Sequence, residues 1–479
     1  MRQGYDLAVI GSGPGGYRAA VRAALRGLSV ALVERGEWGG CCLNRGCVPK
    51  KDWHHTAHLL VAQEGFSGRG IRGRLEPDLE AAWRHQRGVV RRVQESYRNY
   101  LRHLKVTAIE GHARFTGPHT LAVTGGAAGP CTLEARHILI ATGGEPHVPA
   151  PFRPLPGRIL TTDLLFEQPP PSGRRVAVIG SGVVATEMVF LLSALGREVT
   201  WLARSPMLRR QGFSHPARKA LEEALAAAGV HLQSGRHFEA VGADEDGVTL
   251  TLDKGERITV DWVCLGTGRR PHTAGLDLER AGVETDAAGF VRREGLRAGA
   301  GHILAIGDVA NPWMTANHAL AEASAAVDRI LDGGNEAPDP LQVPVVIYSA
   351  LELARLGLDE DTAEDAGLEP AVGFAAFATS PCALGQDEAR GFVRLVSDLD
   401  RGALLGGEIV GDQAGELIHL LSLAPDADSA LAWLARGRYN HPARAEEVLN
   451  AAETLGAKWG LGQAVWGSLP GDGEAVDKQ

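Results

Sequence analysis

The chain has 479 residues, of which 44% are hydrophobic and 22% are charged, and it includes 61 glycines and six cysteines. The glycines follow no three-residue period and the apolar content is high, which excludes collagen-like and disordered chains, and six cysteines are too few for a secreted scaffold held by disulfides. The formal net charge of −9 argues against a nucleic acid or another polyanion as partner. At roughly 150 residues per domain, the length predicts about three domains.

No segment of the sequence has the pattern of a targeting signal or a membrane span. The first apolar run, residues 7–10, begins too early for a signal peptide to precede it. No run of about 18 apolar residues follows it. We therefore expect a cytoplasmic protein that contacts no membrane.

The first predicted element is a strand over residues 7–10, which ends in a glycine-rich turn and continues into an alanine-rich helix. Gly11, Gly13 and Gly16 have the spacing of a dinucleotide-binding turn, in which glycines allow a tight bend, close approach of a pyrophosphate and packing of helix on strand. Glu34 follows the next apolar strand, where a carboxylate can accept hydrogen bonds from a ribose. This unit is predicted to bind a nucleotide with a free ribose.

A cysteine-rich segment, Gly39–Lys51, comes next. Cys42 and Cys47 are separated by four residues, and no second cysteine pair exists in the sequence to complete a zinc site. We therefore predict a redox-active disulfide here, and no metal.

The strand, turn and helix of the first unit recur once, with Gly180, Gly182 and Ala185 at the three small positions. One such motif is weak evidence, but two in the same context predict two dinucleotide sites.

The second unit differs from the first at the ribose position, where Ala203 stands in place of the acid. Arg204 follows immediately and Arg210 lies close behind. Because arginines can hold a 2′-phosphate with charge-assisted bonds, we expect this unit to favour NADP(H) over NAD(H).

Five segments together resemble one known family; they are Gly39–Lys51, Ile140–Gly143, Gly266–Pro271, Ala305–Asp308 and His441–Glu446. Over nearly its whole length the chain is similar to the class I pyridine nucleotide-disulfide oxidoreductases, which include dihydrolipoamide dehydrogenase, glutathione reductase and mercuric reductase. The pattern is closest to dihydrolipoamide dehydrogenase, with features of the other two.

The resemblance implies an α/β fold with two Rossmann-like dinucleotide-binding domains, for FAD and NAD(P), and a C-terminal α+β dimerisation domain. Proline-rich segments mark the expected boundaries. We predict the first part of the FAD domain at residues 1–150, the NAD(P) domain at 151–273, the second part of the FAD domain at 274–340, the dimerisation domain at 341–468 and a flexible tail at 469–479.

The resemblance also assigns cofactor contacts. The residues expected to bind FAD are Gly11, Gly13, Gly16, Glu34, Gly40, Cys41, Thr142, Gly143 and Asp308. The residues expected to bind NAD(H) or NADP(H) are Gly180, Gly182, Ala185, Arg204, Arg210, Gly268 and Arg269.

The family chemistry requires two cysteines with separate duties and a base. By resemblance Cys47 faces the flavin and Cys42 exchanges with the substrate, while His441 is the base and Glu446 orients it. In this family the histidine reaches the disulfide of the other subunit, which implies an obligate homodimer.

A lysine near the flavin is a further family feature, and this chain offers two. Lys50 stands at the position used in the glutathione reductase pattern and Lys51 at the position used in the dihydrolipoamide dehydrogenase pattern. Glu187 resembles the usual ion-pair partner. A positive charge there would depress the thiolate pKa.

We expect the substrate to be a lipoyl group, either free or on a carrier protein, because Pro14–Tyr17 resembles dihydrolipoamide dehydrogenase. The alternative is an NADPH-dependent reductase of glutathione-like or other small disulfides, and a third interpretation is a flavoprotein redox sensor or assembly subunit without turnover. Arg45 departs from the family pattern, and our hypothesis is that it meets an acidic surface of a carrier.

Overall fold

A computed structural model describes residues 2–127, 129–334 and 336–459. The chain forms two compact units. The first contains the residues up to Glu64, Arg72–Pro206 and Leu232–Pro340, and the second contains Gly65–Ile71, Met207–His231 and the residues from Leu341 onward. Within the described residues no helix is long and apolar enough to cross a membrane. The predicted tail at 469–479 lies outside the described residues.

The first unit opens with a sheet flanked by helices. This part of the chain contains the strands β1 (Arg2–Ile10), β2 (Val30–Glu34), β3 (Thr107–Glu110), β4 (His112–Gly117), β5 (Thr120–Thr124), β6 (Cys131–Ile140) and β7 (Gly144–Pro146). Its helices are α1 (Pro14–Leu25), α2 (Gly40–Arg45), α3 (Cys47–Ala62) and α4 (Leu79–His103). The first six strands form the sheet. The strand order is β3-β2-β1-β6-β5-β4, with parallel pairing from β3 to β6. All five residues of β2 are buried, as expected for a central parallel strand covered on both faces.

A second parallel sheet follows in the same unit. Its part of the chain contains β8 (Ile159–Thr161), β9 (Arg175–Ile179), β10 (Glu198–Leu202), β11 (Leu232–Gln233), β12 (Phe238–Ala243), β13 (Val248–Leu252), β14 (Arg257–Val260), β15 (Trp262–Leu265) and β16 (Arg269–Pro271), with α5 (Thr162–Glu167), α6 (Val183–Ala194) and α7 (His215–Ala227). The sheet order is β11-β10-β9-β15-β8. Strands β12, β13 and β14 form a small antiparallel sheet, and β16 pairs with β7.

The chain then returns to the first sheet. Strand β17 (Ile303–Ala305) pairs with β6 in parallel, and α8 (Ala316–Asp332) packs against α1. The first sheet is therefore built from two separate stretches of sequence, with the second parallel sheet between them.

The second unit has a five-stranded antiparallel sheet, β18-β19-β22-β21-β20. Its elements after Leu341 are β18 (Val345–Tyr348), β19 (Glu352–Gly357), α9 (Glu360–Asp365), β20 (Pro370–Ala376), α10 (Pro381–Gly385), β21 (Phe392–Asp398), β22 (Leu404–Val410), α11 (Ala414–Leu417), α12 (His419–Ser422), α13 (Ala427–Ala435) and α14 (Glu446–Trp459). Helix α14 packs on β20, where a Cβ at Gly373 would lie 2.2 Å from the Ala451 carbonyl oxygen. A mixed and a parallel α/β sheet followed by an α+β unit confirm the predicted fold class.

Short 3-10 turns connect several of these elements, at Gln63–Gly65, Ser67–Arg69, Asp253–Gly255, Leu278–Ala281, Gly307–Val309, Pro340–Gln342 and Phe377–Thr379. Helix α7 belongs to the second unit, although it lies inside the predicted 151–273 range. The domain bounds given above therefore stay predictions.

Candidate active site

The turn after β1 is shaped to let a phosphate group approach the backbone. Gly11 has a φ of +100°, and an added Cβ would lie 2.4 Å from the Ala141 carbonyl oxygen. A Cβ at Gly16 would lie 1.8 Å from the Gly11 carbonyl oxygen, so α1 packs directly against the turn. At Gly13, by contrast, an added Cβ would meet nothing within 4 Å. The open backbone at Gly13, just before the N-terminus of α1, fits the pyrophosphate of FAD.

Glu34 lies at the end of β2 and is buried. One carboxylate oxygen accepts hydrogen bonds from the backbone N–H and the hydroxyl of Ser12, at 2.9 and 2.7 Å, and the other accepts from the Gly36 N–H at 2.8 Å. These bonds hold the carboxylate beside the glycine turn, in the place predicted for a ribose acceptor.

The predicted flavin-binding acid, Asp308, follows β17 directly. Burial raises the pKa of this carboxyl, and the nearby Arg269 guanidinium opposes that rise. A Cβ at Gly144 would lie 3.4 Å from the Asp308 Cβ, so the loop after β6 and the loop after β17 meet here. Thr142 and Gly143 lie in the first of these loops, where the Thr142 hydroxyl donates to the His272 carbonyl oxygen at 2.7 Å.

Glu322 is a site residue that the sequence alone did not reveal. It is buried on α8 and accepts hydrogen bonds from the Gly307 N–H and the Asn311 amide, both at 2.7 Å, and from Arg293 at 2.5 Å. This carboxylate fixes the Gly307–Asn311 turn and so positions Asp308. Glu322 is 29 residues from Arg293 and 11 residues from Asn311 in the sequence, so no local motif predicts these contacts.

The second glycine turn repeats the first. Gly180 has a φ of +126°, and its Cβ would lie 2.3 Å from the Gly266 carbonyl oxygen, while a Cβ at Gly182 would meet nothing within 4 Å. Ala185 is fully buried against Gly266, where an added Cβ would lie 2.8 Å from the Ala185 Cβ. The third position therefore has no room beyond a methyl group.

The other predicted nucleotide contacts are distributed over both units. Arg204 lies in the first unit and Arg210 in the second, and both are exposed. Gly268 has a φ of +99°. Arg269 pairs with Asp163 at 3.0 Å and donates to the Gly144 carbonyl oxygen at 2.6 Å, which places its guanidinium beside the loop that carries Gly143.

The two cysteines of the predicted redox pair lie on consecutive helices. Cys42 is half-buried on α2, and Cys47 is exposed as the first residue of α3. Gly46 joins the helices, and a Cβ there would lie 3.4 Å from the Cys42 Cα and 3.3 Å from the Cys41 carbonyl oxygen. The absence of a side chain at Gly46 lets the turn bring the sulfurs together. Both cysteines are free in the structure, which corresponds to the reduced form of the predicted pair.

The two thiols differ in acidity. Hydrogen bonding between the two thiols lowers the pKa of Cys47, and the Lys50 ammonium lowers it further. The same hydrogen bonding, together with partial burial, raises the pKa of Cys42 well above its usual value. The N-terminus of α3 favours negative charge on Cys47 as well. In the dithiol state, Cys47 is therefore the more acidic of the two.

The structure distinguishes the two lysines. The Lys50 ammonium lies 2.6 Å from the Glu187 carboxylate on α6, and the two side chains are only 15% and 5% exposed. Lys51 is exposed on the same helix. The lysine of the buried ion pair is therefore Lys50, the first of the two candidates.

We expect Lys50→Met to raise the pKa of the Cys47 thiol. The thiolate persists above its lowered pKa and is lost as the pH falls through it, so the long-wavelength thiolate-to-flavin band of the reduced enzyme should disappear at a higher pH in the variant. Loss of the buried ion pair with Glu187 should also reduce the free energy of unfolding by about 3–5 kcal/mol. A pH titration of the band and urea unfolding measure both effects. Lys51→Met is the matched control, and the same band profile in Lys50→Met and the native enzyme would contradict the assignment.

Cys41 is unlike its two neighbours in acidity. Its Sγ lies 4.0 Å from an Asp163 carboxylate oxygen, and burial raises the pKa of this thiol to about 12. It therefore remains a neutral thiol near neutral pH. Gly40, the first residue of α2, has a φ of +63°, and its Cβ would lie 2.7 Å from the Gly13 Cα. Cys41 thus follows directly on the point where α2 meets the first glycine turn.

Arg45 has acidic neighbours within its own unit. Its guanidinium lies 2.6 Å from Glu167 and 4.0 Å from Asp163, both on α5, and its side chain is 28% exposed. Arg45 therefore ties α2 to α5, and its contact with an acidic carrier surface stays a hypothesis.

We expect Arg45→Ala to lower the free energy of unfolding by about 1–2 kcal/mol, because the partly buried Glu167 loses its cation and Asp163 keeps only Arg269. Arg91→Ala, at an exposed position of α4, is the matched control. Urea unfolding measures the difference. Turnover of the carrier-bound substrate should fall more than turnover of free lipoamide in Arg45→Ala, and equal losses would contradict the carrier hypothesis.

Tyr17 and Tyr97 form an aromatic pair beside the cysteines. Their rings stack with centroids 4.0 Å apart and an interplanar angle of 11°. The pKa of Tyr97 is raised by burial and, to a smaller degree, by Cys42 and Cys47, which places its hydroxyl near the sulfurs. A stacked pair contributed by α1 and α4 has no signature in local sequence.

His441 and Glu446 form a dyad in the second unit. The His441 Nδ1 lies 2.9 Å from one Glu446 oxygen, and the other oxygen accepts from the Ala443 N–H at 2.8 Å. The hydrogen bond to His441 lowers the pKa of the Glu446 carboxyl, so it is ionised at neutral pH and favours the proton on Nδ1. The His441 side chain is 74% exposed, which leaves Nε2 accessible. Among the described residues no group of three or more histidine, cysteine or acidic side chains could hold a metal ion.

Comparison with protein families and known proteins gives consistent matches. Residues 5–323 match the pyridine nucleotide-disulphide oxidoreductase family, and residues 343–452 match the dimerisation domain of the same family. The chain is 37% identical over 463 residues to a dihydrolipoyl dehydrogenase of Thermus scotoductus, which covers 94% of this chain and 97% of the relative. It is 35% identical over 464 residues to dihydrolipoyl dehydrogenase 3 of Pseudomonas aeruginosa, with 94% and 98% covered.

Solved structures share the fold. LpdA of Mycobacterium tuberculosis superposes with a TM-score of 0.87 at 24% identity, and 95% of this chain and 99% of that chain are covered. The HOCl-induced flavoprotein disulfide reductase RclA of Escherichia coli superposes with a TM-score of 0.82 at 24% identity, with 94% and 100% covered.

Proposed function

Because the chain belongs to the pyridine nucleotide-disulphide oxidoreductase family and is an FAD-dependent enzyme, we propose that it exchanges electrons between a lipoyl group and a nicotinamide nucleotide. The sequence motifs predicted this family and this enzyme class, and the family matches confirm both predictions. The observation that carries the proposal is the position of Cys42 and Cys47 on either side of Gly46, with the pKa of Cys47 lowered and that of Cys42 raised, in a chain 37% identical to a dihydrolipoyl dehydrogenase.

In the proposed reaction, the chain's residues handle thiols and protons. A dihydrolipoyl thiolate attacks the Cys42 sulfur of the oxidised pair, which forms a mixed disulfide and releases Cys47 as a thiolate. The second dihydrolipoyl thiol then attacks the lipoyl sulfur of that mixed disulfide, which forms lipoyl disulfide and releases Cys42. The chemistry that FAD supplies when bound is the two-electron exchange between this cysteine pair and the nicotinamide.

The thiol protons need a base, and His441 suits that role. With Nδ1–H donated to Glu446, Nε2 can take the proton of the first substrate thiol and release it to solvent, and can then pass the proton of the second thiol to Cys42 as that sulfur leaves. The exposed imidazole is available to another subunit, and a dimerisation domain over residues 343–452 supports a homodimer. We therefore assign the base at each Cys42 to His441 of the partner subunit.

Cofactor binding is assigned as the motifs predict. FAD is placed on the first unit's glycine turn, with Glu34 at the ribose and Asp308 at the flavin side chain. The nicotinamide nucleotide is placed on the turn at Gly180 and Gly182. The open backbone at Gly13 and at Gly182 supports both placements.

NADP(H) is the proposed form of the nucleotide, because Ala203 removes the ribose acid and Arg204 is exposed beside it. We expect Arg204→Ala to raise the KM for NADPH by about tenfold, the loss of one charge-assisted hydrogen bond, and to leave the KM for NADH unchanged. Steady-state kinetics with each nucleotide measure this, and equal changes would favour a general rather than a phosphate-specific role.

A second candidate, reduction of a glutathione-like disulfide by NADPH, is favoured by one observation. Lys50 rather than Lys51 pairs with Glu187, as the glutathione reductase pattern would have it. The third interpretation, a flavoprotein without turnover, has no support from a site in which both cysteines and the His441–Glu446 dyad are intact.

An anaerobic titration tests the proposed function. Oxidised holoenzyme should react with one equivalent of dihydrolipoamide per subunit, gain two titratable thiols and develop the thiolate-to-flavin band. Reduced glutathione at the same thiol concentration should do neither. The reverse pattern would favour the second candidate, and no reaction with either thiol would contradict catalysis.

A further inference from the structure

Two histidines lie on one face of α3, the helix that begins with the redox cysteine Cys47. His54 and His58 are one helical turn apart, and their Nε2 atoms lie 3.1 Å from each other. His54 is buried and His58 is half-buried, so the pair has one protected and one accessible member. Neither ring takes part in the thiol chemistry proposed above.

The pair is held in place by packing against α6. The Phe190 ring approaches both imidazoles edge-on, with centroid distances of 6.1 Å to His54 and 5.7 Å to His58. One turn earlier on the same two helices, Lys50 pairs with Glu187. The imidazoles therefore project from a rigid helix into a packed helix–helix interface, where their relative orientation is restrained.

We propose that His54 and His58 form a binding site for a borderline transition-metal ion, Zn²⁺ or Cu²⁺. Histidines at i and i+4 on one helical face are a recurrent bidentate metal-binding arrangement. With metal–nitrogen bonds of about 2.0–2.1 Å, two nitrogens 3.1 Å apart subtend an angle of about 100° at the ion, close to the tetrahedral angle. The observed separation thus needs no rearrangement of the helix.

The site is open on its outer side. His58 is partly accessible, so water can complete the coordination of the ion. Imidazole nitrogens suit Zn²⁺ and Cu²⁺, whereas Mg²⁺ requires oxygen ligands and is excluded. The two Nε2 atoms share a hydrogen bond when no ion is bound. A bound ion replaces this hydrogen bond, and each ring then carries its proton on Nδ1.

Metal binding by oxidised holoenzyme without a polyhistidine tag tests the proposal. In the oxidised state Cys42 and Cys47 form a disulfide and cannot serve as thiolate ligands. In a calorimetric titration, the native enzyme should bind one more Zn²⁺ ion per subunit than His58→Gln, or His58→Gln should bind Zn²⁺ at that site about tenfold or more weakly. Even outer-shell changes cost about 10–100-fold in metal affinity. Mg²⁺ should give no such difference.

The matched control is His55→Gln, which alters an exposed histidine on the same helix. It should bind Zn²⁺ like the native enzyme, and Cu²⁺ in both should show an electron paramagnetic resonance spectrum with two coupled nitrogens. His58 is only half-buried, so His58→Gln should keep the native flavin content and melting temperature, which verify folding. Identical Zn²⁺ binding by the native enzyme and His58→Gln, or no binding by the native enzyme, would overturn the proposal and leave the histidines as a hydrogen-bonded pair only.

Discussion

Replacing Cys42 or Cys47 with serine is expected to lower disulfide turnover by about a thousandfold or more, because neither variant can form the disulfide that exchanges with the substrate. The two variants should differ from each other in their spectra. Cys42→Ser keeps the Cys47 thiolate and should show the thiolate-to-flavin band without added reductant, whereas Cys47→Ser should lack it at any pH. Steady-state assays and absorption spectra measure the two effects.

Cys382→Ser is the matched control for the cysteine variants, because this half-buried cysteine lies in the second unit and takes no part in the proposed chemistry. It should retain native turnover. Substantial turnover in Cys42→Ser would mean that another group exchanges with the substrate, and a band in Cys47→Ser would mean that the flavin-facing sulfur has been misassigned.

His441→Gln is expected to lower turnover by about 10²–10⁴-fold, the usual contribution of a general base. The loss should be greatest near neutral pH and should shrink at high pH, where substrate thiols ionise without help. His419→Gln, at an exposed position of the same unit, is the control and should be near native. A pH profile of kcat for the three proteins distinguishes loss of a base from loss of folding.

A mixed dimer tests whether the base acts across subunits. Neither Cys47→Ser nor His441→Gln is expected to be active alone. Statistical re-association of the two should restore roughly a quarter of native activity, because half of the dimers gain one site with an intact cysteine pair and an intact base. If His441 served the cysteines of its own subunit, no mixture would recover activity.

Features carried by local sequence were predictable. The turns at Gly11 and Gly180 need a positive φ and leave no room for a Cβ, so their spacing in the sequence reports a backbone requirement. The Cys42–Cys47 pair and the His441–Glu446 dyad are also local, with four residues between their members in each case. The structure joins His441 and Glu446 by a hydrogen bond and places Cys42 and Cys47 on either side of Gly46.

Features that join distant residues could not be read from the sequence. Lys50 and Lys51 are equivalent in the sequence, and the choice between them depends on Glu187, 137 residues away. Arg45 looked like a surface charge because its partner, Glu167, is 122 residues away on another helix. The stacking of Tyr17 on Tyr97 likewise depends on how α1 and α4 pack. Each of these contacts follows from tertiary packing, which no short motif encodes.

Substrate choice is the central claim, and steady-state kinetics with four substrate pairs test it most directly. Dihydrolipoamide should be assayed with NAD⁺ and NADP⁺, and glutathione disulfide with NADH and NADPH, on the same FAD-loaded preparation. We expect kcat/KM for dihydrolipoamide to exceed that for glutathione disulfide by at least about a hundredfold with the preferred nucleotide. A higher kcat/KM for glutathione disulfide, or no turnover of dihydrolipoamide with either nucleotide, would contradict it.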